Sequence, residues 1–399
     1  MKLLFVHDRF GAQAGAESNL YHTAAALQRR GHQLALAHGP GTGKAEEDWE
    51  KVFPERLRIL AENSSSSMDA ALDAFLPEVV YLHNAPDLGV VEGLAKSAVP
   101  TVRMVHDHRL FCLRGCKYPV WSRRPCPRAL SPFCLFPCGG LLQRAPGGSR
   151  KFQLAGYLAK KRELELHRGF RRLLVASEYM RAELLRNGIP AERIEIHPPV
   201  PPAAAAPAPD FGPRNLIVFA GQLVRGKGVD VLLEALALVE APFECVIFGD
   251  GHQRAECEAL SRRLGLAGRV EFRGYRPQAE LADCYRAASL AVVSSVWPEP
   301  FGATGLEAMR CGLPVVAFNV GGISEWLLDF ENGLLVPWMD RALFAQSIDL
   351  LLADKALARH LGARGRQLAS ERFDFARYVD RLEAVFLRLA ERRVSEGVA

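Results

Sequence analysis

The sequence predicts an α/β protein made of two doubly wound halves, each a parallel sheet covered by helices. Short apolar runs typical of buried strands alternate with segments long enough for helices. This alternation stops at a stretch rich in proline and alanine and then begins again. The composition, 49% hydrophobic and 24% charged over 399 residues, is that of a folded chain with room for more than one domain.

The first half begins with a strand-like run at 2–7 and a helical pattern that ends at Arg29-Arg30-Gly31. Further strand-like runs lie at 34–37, 79–82, 101–105 and 173–175. We therefore predict an N-terminal domain over 1–197, with a Cys-rich basic insertion at about 109–150. The stretch 198–213 predicts a semi-rigid linker because it repeats proline and alanine.

The second half repeats the pattern with a strand at 216–220, a glycine-rich turn and a helix at 229–238. More strand-like runs follow at 245–248, 270–272, 290–293 and 315–317. We predict a C-terminal domain over 214–375 and a last helix over 376–399 whose apolar face docks back on the N-terminal domain. Ligands of such sheets bind beyond the carboxyl ends of the strands, so we expect the site in a cleft that both domains face.

The charge and the chain start exclude several classes. A formal net charge of +5 does not require a nucleic-acid partner. Asp8 and Arg9 interrupt the first apolar run, which argues against a secretory signal, and no uncharged run has the length of a membrane-spanning helix. We expect a cytoplasmic protein.

Five of the nine cysteines cluster between Cys112 and Cys138. The paired spacings Cys112-x3-Cys116 and Cys134-x3-Cys138 are ones that a structural zinc ion could use, and buried or redox-active thiols are the alternative. Both interpretations stay open. We expect no other cofactor.

A turn from Gly221 to Gly228 stands between a strand and a helix and carries Arg225 and Lys227. Glycines allow close backbone approach and a helix start attracts anions, so the turn suits a diphosphate. An ordinary strand-to-helix turn with solvated basic residues is the alternative.

A second segment, 297–309, carries two glutamates on either side of a small-residue turn. If a helix begins near Gly302 to Thr304, its free N–H groups can hold a phosphate. Glu307 can then accept hydrogen bonds from ribose hydroxyls and Glu299 can face a sugar. The alternative is that both glutamates cap and solubilise the helix.

Six motifs of the second half occur in order: Gly221 to Gly228, Phe248 to Gly251, Phe272 to Tyr275, Glu299 to Glu307, Cys311 to Val316 and Gly321 to Glu325. By these motifs the half resembles the retaining family-4 glycosyltransferases of GT-B fold, in which two Rossmann-like doubly wound domains face a central cleft. Weaker matches in the first half are Ala14 to Glu17, Arg30 to His32, Pro77 to Asn84, Val105 to Asp107 and Val175 to Glu178.

The resemblance assigns catalytic roles to His106, Arg225, Lys227 and Glu299. It assigns ligand binding to Gly15, Gly221, Gly302, Ala303, Thr304, Gly305 and Glu307. In this assignment the two cations bind the donor diphosphate, Glu307 the ribose and Glu299 the sugar, which His106 approaches from the other domain. Transfer would need no metal.

Two positions depart from the family pattern. Gln222 stands where the family usually has arginine, so either Arg225 supplies the missing charge or phosphate binding is weaker. Ala14 replaces the first of two glycines before Glu17, which affects the backbone on the acceptor side.

The stretch from Arg103 to Arg172 holds sixteen Lys or Arg residues against three Asp or Glu, with aromatic residues between them. This combination suits an anionic membrane surface or a lipid-linked acceptor, and a solvated basic face is the alternative.

The sequence thus predicts a metal-independent hexosyltransferase that moves a sugar from a UDP- or GDP-linked donor to a glycan or lipid-linked acceptor. Its expected place is cell-surface polysaccharide or glycolipid synthesis at the inner face of the membrane. A non-catalytic sugar-nucleotide-binding subunit and a GT-B epimerase or phosphorylase are the competing hypotheses.

Overall fold

The computed structural model describes residues 1–11, 15–85, 87–119, 121–144, 152–154, 156–202, 209–211, 214–276 and 278–397. The chain forms two compact units. The first contains Met1–Gly115, Pro127–Pro202 and Phe375–Ala399. The second contains Cys116–Cys126 and Ala203–Asp374.

The first unit is built on a parallel sheet. Its strands are β1 Lys2–His7, β2 Gln33–His38, β3 Glu55–Arg58, β4 Val79–Leu82, β5 Thr101–Val105, β6 Leu142–Arg144, β7 Phe152–Leu154, β8 Arg172–Val175 and β9 Ile194–Ile196. In the described residues, seven of them form one sheet in the order β3-β2-β1-β4-β5-β8-β9. β6 and β7 pair separately and antiparallel. The central strands β4 and β5 are buried along their whole length because helices cover both faces.

Six α-helices of the described residues lie between Ala16 and Arg186, all in the first unit: α1 Ala16–Arg29, α2 Glu46–Val52, α3 Ser64–Phe75, α4 Leu88–Lys96, α5 Tyr157–His167 and α6 Glu178–Arg186. Side-chain caps fix the starts of two of them. The Asp87 carboxylate accepts a hydrogen bond from Val90 N at the start of α4, and the Ser177 hydroxyl accepts one from Met180 N at the start of α6. Their apolar faces pack on the sheet to form the core.

The second unit has a sheet of six parallel strands in the part described: β10 Leu216–Ala220, β11 Glu244–Phe248, β12 Val270–Gly274, β13 Leu290–Val293, β14 Val315–Phe318 and β15 Gly333–Val336. Their order is β12-β11-β10-β13-β14-β15. The helices are α7 Val229–Leu236, α8 Arg254–Arg263, α9 Gln278–Ala287, α10 Ala303–Arg310, α11 Arg341–Ala353 and α12 Lys355–Arg372. The loops after β10, β13 and β14 therefore leave the same edge of the sheet.

The last helix, α13 Phe375–Gly397, belongs to the first unit. The Asn19 amide donates to the Tyr378 hydroxyl at 3.1 Å, and the Phe386 ring packs edge-on against Tyr81 with centroids 5.2 Å apart. On the outer side, Arg30 pairs with Asp380 and Glu383 at 2.6 and 2.5 Å. An apolar face with charged flanks explains why this helix docks on α1 and β4.

The structure differs from the sequence predictions in several places. Five of the described strands were not predicted, because β3 contains a single apolar residue, β6, β7 and β9 have three residues each and β15 begins with glycine. The placement of 109–150 in the N-terminal domain is wrong for Cys116–Cys126, which belongs to the second unit. Arg123 holds this segment there by pairing with Asp230 at 2.5 Å.

The predicted linker 198–213 is described only in part, over 198–202 and 209–211. Residues 203–208 and 212–213 of it lie outside the described residues, as does Ala14 of the first-domain loop. The division between the two units falls after Pro202.

Candidate functional site

The glycine-rich turn after β10 rests on the loop after β11. Leu223 N donates to Asp250 O at 2.9 Å and Gln253 N donates to Leu223 O at 3.0 Å. A Cβ atom on Gly249, whose φ is +120°, would lie 1.9 Å from Gly221 O. Glycine is therefore required where the two backbones touch, and the contact fixes the path of the turn.

Lys227 and Glu299 form the central ion pair of the second unit. Lys227 Nζ lies 2.6 Å from Glu299 Oε1, and the Ser295 hydroxyl donates to the same oxygen. Glu299 is 3% exposed, whereas Lys227 lies at the edge of the protein interior, with its ammonium 5.6 Å from the centre of the Trp297 ring. The pair thus places one buried acceptor beside one accessible cation.

Backbone contacts hold the Glu299 loop from two sides. Val296 N and Trp297 N both donate to Gly226 O, at 2.8 and 3.1 Å. On the other side Gly322 N donates to Glu299 O at 2.7 Å. A Cβ atom on Gly321, whose φ is +63°, would lie 2.3 Å from that carbonyl oxygen. Three motifs of the sequence analysis, Gly221 to Gly228, Glu299 to Glu307 and Gly321 to Glu325, therefore meet at Glu299.

The start of α10 lies directly after this loop. Gly302 is its N-cap, with φ +86° and no side chain to occupy the first-turn N–H groups of Ala303 and Thr304. Gly305 packs against Trp326, since a Cβ atom there would lie 2.1 Å from ring atom Cη2. The predicted helix start is thus where the sequence analysis placed it, with its N–H groups available to an anion.

Glu307 lies one turn further along α10. Burial raises the pKa of its carboxyl to about 7, and the charge of Arg310 offsets only part of that rise. Glu307 in turn adds to the effect of burial in raising the pKa of Tyr285 well above its usual value. A carboxyl that titrates near neutral pH can accept or donate a hydrogen bond to a hydroxyl-bearing ligand.

Arg225 is the first residue of the short 3-10 helix Arg225–Lys227. Its guanidinium carbon lies 5.8 Å from the centre of the Tyr118 ring, within the range of a cation–π contact. Tyr118 comes from Cys116–Cys126, the segment that Arg123 ties to the first turn of α7. Gln222, by contrast, is exposed. Tyr118 and Arg123 were missed by sequence reasoning, because neither lies near the turn in sequence.

Histidines stand at the carboxyl ends of the neighbouring strands β1, β4 and β5 of the first unit: His7 is the last residue of β1, and His83 and His106 directly follow β4 and β5. His106 Nε2 lies 2.7 Å from His83 Nδ1, so one ring donates to the other, and His7 is also completely buried. Burial, reinforced by the charges of His7 and Arg103, lowers the pKa of His106 to about 3. Burial also lowers the pKa of His83 well below its usual value. Both rings are therefore neutral near pH 7.

His83 lies in the Pro77 to Asn84 motif, and the sequence analysis gives it no separate role. It directly follows β4 as His106 follows β5, but Leu82 pairs with Arg103, so strand pairing alone does not put the two rings level and their contact appears only in the folded structure. Gly15, the remaining first-unit residue, is the N-cap of α1 with φ +57°. The second-unit residues of the predicted site are brought together, while His106 and Gly15 both lie in the first unit, at the carboxyl ends of β5 and β1.

The cysteine cluster does not gather into a metal site. The described residues include all five of its cysteines, and in them no group of three or more His, Cys, Asp or Glu side chains could hold a metal ion. All five are reduced cysteines outside any disulfide bond. The geometry therefore gives the structural-zinc hypothesis no support.

Three features of the structure bear on membrane contact: the length of its apolar helices, the ion pairs of the basic stretch and the exposed apolar side chains. In the part of the chain that is described, none of the helices combines the length and apolar character needed to cross a bilayer. Several cations of the basic stretch pair with carboxylates: Lys160 with Glu163, Lys161 with Glu165 and Arg162 with Glu92. Among the described side chains of this basic stretch, three large apolar ones are exposed: Trp121 by 60%, Phe136 by 73% and Leu158 by 77%.

Two family models match the chain. The model described as Glycosyl transferases group 1 matches residues 206–368, and the model described as Glycosyltransferase Family 4 matches residues 14–200. The two matched regions do not overlap and together cover most of the sequence.

Curated relatives match over part or most of their length. A D-inositol 3-phosphate glycosyltransferase of Xylanimonas cellulosilytica is 37% identical over 182 residues, 45% of this chain and 43% of that protein. The chain thus spans less than half the length of that relative. The lipopolysaccharide core biosynthesis glycosyltransferase LpsE of Rhizobium meliloti is 26% identical over 365 residues, 90% of this chain and 92% of that protein.

Among solved structures, HepE of Anabaena in complex with UDP has a TM-score of 0.74 and 20% sequence identity, covering 97% of this chain and 100% of that one. HepE in complex with UDP-glucose has a TM-score of 0.73, with the same identity and coverage. At this identity the likeness shows a shared fold.

Proposed function

Because the chain belongs to the group 1, family 4 glycosyltransferases of GT-B fold, we propose that it transfers a hexose from a nucleoside diphosphate sugar to a glycan or lipid-linked acceptor, with retention of anomeric configuration. A UDP-linked donor is the first choice, since HepE has the same fold and was solved with UDP and UDP-glucose. GDP-linked donors are the second choice.

The observation that carries this proposal is the Lys227–Glu299 pair between a glycine-rich turn and the uncapped start of α10. An ammonium group has three N–H donors, and Glu299 accepts from one of them, which leaves others for phosphate oxygens. With Arg225 and the N–H groups of α10, Lys227 would stabilise the charge that develops on the departing diphosphate. Transfer would then proceed without a resident metal ion.

The two glutamates take different parts of the donor in this proposal. Glu299 is buried, and its loop is fixed by Gly226 and Gly322, so it orients the transferred sugar. Glu307, one turn after the start of α10, accepts hydrogen bonds from the ribose. The neutral His106 ring, held by His83, can contact a sugar hydroxyl without adding charge. The acceptor hydroxyl would attack on the face that the diphosphate leaves.

The two glutamates can be tested separately by calorimetric titration with UDP and GDP and by an assay of transfer. Glu299→Gln should lower transfer about 100-fold and leave nucleotide affinity nearly unchanged, because it loses a contact to the sugar. Glu307→Gln should weaken nucleotide binding about tenfold. Glu271→Gln, on the exposed edge strand β12, is the matched control. Equal effects of both site variants on affinity and rate would refute the division of roles.

Removing either cation tests the proposed charge stabilisation. Lys227→Ala and Arg225→Ala should each reduce transfer by about two orders of magnitude. Activity should survive a divalent-cation chelator. Near-normal turnover in both variants, or immediate loss with chelator that magnesium restores, would contradict the metal-free mechanism.

The same assays separate the competing functions. Nucleotide binding without turnover on any acceptor would indicate a non-catalytic binding subunit. Interconversion of the donor sugar, or sugar phosphate formed from a glycan and inorganic phosphate, would indicate an epimerase or a phosphorylase.

For the acceptor we propose a lipid-linked glycan reached from the inner face of an anionic membrane, in cell-surface polysaccharide or glycolipid synthesis. The exposed side chains of Trp121, Phe136 and Leu158 within the basic stretch support this choice. More of the protein should sediment with phosphatidylglycerol vesicles than with phosphatidylcholine vesicles. Sedimentation with phosphatidylglycerol should fall in the variant that combines Trp121→Ser, Phe136→Ser and Leu158→Ser. Equal sedimentation with both lipids would favour a soluble glycan acceptor.

A further inference from the structure

A cavity of about 200 Å³ lies in the first unit, away from the histidines. It is lined at the amino ends of β5 and β8 by Pro100 and the residues that follow Phe170, and by the end of α13 at Leu389. His106 follows β5 at its opposite, carboxyl end. The charged residues on its lining are Arg171, Arg172, Glu192, Arg193, Arg392 and Arg393. We refer to it as the arginine cavity.

Backbone carbonyls hold three of these arginines in place. Arg172 Nη1 donates to Glu192 O at 3.1 Å, Arg193 Nη1 donates to Phe170 O at 2.8 Å, and Arg393 Nη1 donates to Pro77 O at 2.8 Å. A carbonyl orients a guanidinium but does not neutralise it. Each guanidinium has five N–H donors, so most donors of these three remain for another acceptor. The cations are therefore preorganised, which lowers the entropic cost of binding.

Charge balance on the lining calls for an anion. The three arginines held by carbonyls, Arg172, Arg193 and Arg393, line this cavity of about 200 Å³ together with one carboxylate, that of Glu192. Like charges this close repel one another, and an anion that contacts several of them at once removes the repulsion. Phosphate matches the planar fork of a guanidinium through paired hydrogen bonds.

We propose that the arginine cavity binds a phosphate-bearing anion, at a site separate from the donor site. The proposal does not depend on glycosyl transfer, because no residue of the cavity belongs to the predicted donor site. The phosphate can belong to a soluble metabolite or to a phospholipid headgroup, and both present the same chemistry to the arginines.

The test uses inorganic pyrophosphate as the soluble probe. The full chain carries Lys227→Ala and Arg225→Ala, so that the proposed diphosphate site no longer contributes. Isothermal titration should still show one pyrophosphate per chain, with an affinity that falls as salt concentration rises. Loss of all binding in this background, together with no effect of the cavity variants on vesicle binding, would overturn the proposal.

Two sets of substitutions, one expected to weaken pyrophosphate binding and one expected to strengthen it, test whether the anion binds in the arginine cavity. In the same background Arg172→Gln with Arg193→Gln should weaken pyrophosphate binding at least about tenfold. Glu192→Gln removes the single carboxylate and keeps the backbone carbonyl that Arg172 uses, so it should tighten binding about threefold. If the double variant does not fold, Glu192→Gln and Arg393→Gln decide the question. Unchanged affinity in both would place the anion elsewhere.

Arg56→Gln is the matched control, because Arg56 also donates to a backbone carbonyl, Phe53 O, outside the cavity. Its pyrophosphate affinity should equal that of the parent. Vesicles of phosphatidylglycerol and of phosphatidylcholine separate the two sources. Pyrophosphate binding without loss of vesicle binding in the double variant assigns a soluble phosphate, and a selective loss of phosphatidylglycerol binding assigns a headgroup.

Discussion

At the scale of single residues, the burial of Glu307 lowers the free energy of unfolding at neutral and higher pH. Its pKa is about 7 in the folded chain and about 4.5 when unfolded, so the folded state binds more protons between those values. The free energy of unfolding therefore falls as pH rises through this window and stays low above pH 7. Such a cost is typical of a group kept for a ligand.

Glu307→Gln should remove that cost. At pH 8 the variant should be more stable than the parent by about 3 kcal/mol, because the pKa of Glu307 rises from 4.5 to about 7 on folding and each pKa unit is worth about 1.4 kcal/mol. At pH 4.5 the two should unfold at the same temperature. Calorimetric unfolding at both pH values measures the difference, and the exposed Glu271→Gln serves as control. Stabilisation of equal size at both pH values would mean that packing, not charge, is responsible.

The site residues were predictable to different degrees. Lys227, Glu299 and Gly302 could be found because glycines and acids recur at fixed spacings around the strand ends, and the structure brings Lys227 into contact with Glu299 on the loop that ends at Gly302. Ser295 carries no such pattern, and its hydrogen bond to Glu299 appears only when the loop is folded. Tyr118 lies more than a hundred residues from Arg225, so no local pattern could join them.

At the scale of elements, α10 depends on close packing against Trp326. The ring is fixed by a hydrogen bond from its Nε1 to Phe301 O at 2.6 Å, so it cannot move aside easily. Gly305→Ala should cost about 1–3 kcal/mol of stability and weaken nucleotide binding, because the added methyl group overlaps the ring. Gly268→Ala, with open space around it, is the control. Equal melting temperatures for the two variants would contradict this packing.

The segment Cys116–Cys126 depends on one ion pair. Arg123 donates to both oxygens of Asp230, at 3.1 and 2.5 Å. A double-mutant cycle of Arg123→Met and Asp230→Asn should give a coupling energy of about 1–2 kcal/mol, measured from chemical unfolding. Arg124→Met, the adjacent exposed arginine, should change stability little. Additive losses would show that the pair does not anchor the segment.

Among the elements, long apolar strands such as β1 and β10 were predictable, and edge strands such as β3 and β9 were not. The former read as continuous apolar runs because both faces are buried. The latter are short or mostly polar and take their conformation from the strand beside them. The docking of α13 could be expected from its apolar face, whereas its partners Asn19 and Tyr81 could not.

At the scale of the whole molecule, acid should affect the two units differently. Burial lowers the pKa values of His83, His106, His167 and His197, all in the first unit, and those of His106 and His197 fall to about 3. The unfolded chain takes up these protons near pH 6.5 and the folded unit does not. Stability of the first unit is therefore full above pH 6.5 and is lost as pH falls toward 3.

Scanning calorimetry at pH values from 8 down to 5 should show a falling unfolding temperature for the first unit. The unfolding temperature of the second unit should rise over the same range, because Glu307 becomes protonated. Hydrogen exchange on peptides of each sheet assigns the transitions. His197→Phe should make the first unit less sensitive to acid, since the ring packs against Tyr378 with centroids 4.5 Å apart and phenylalanine can keep that contact. Parallel shifts of both transitions would contradict the histidine explanation.

Synthesis on the ribosome delivers Phe375–Ala399 only after all of Ala203–Asp374 has been made. Until then Tyr81 lacks Phe386 and Asn19 lacks Tyr378, so the nascent first unit exposes an apolar strip beside α1. The second unit already has all its parts at that moment, including Cys116–Cys126. During translation the second unit can therefore complete its fold before the first unit does, which reverses the usual N-terminal-first order.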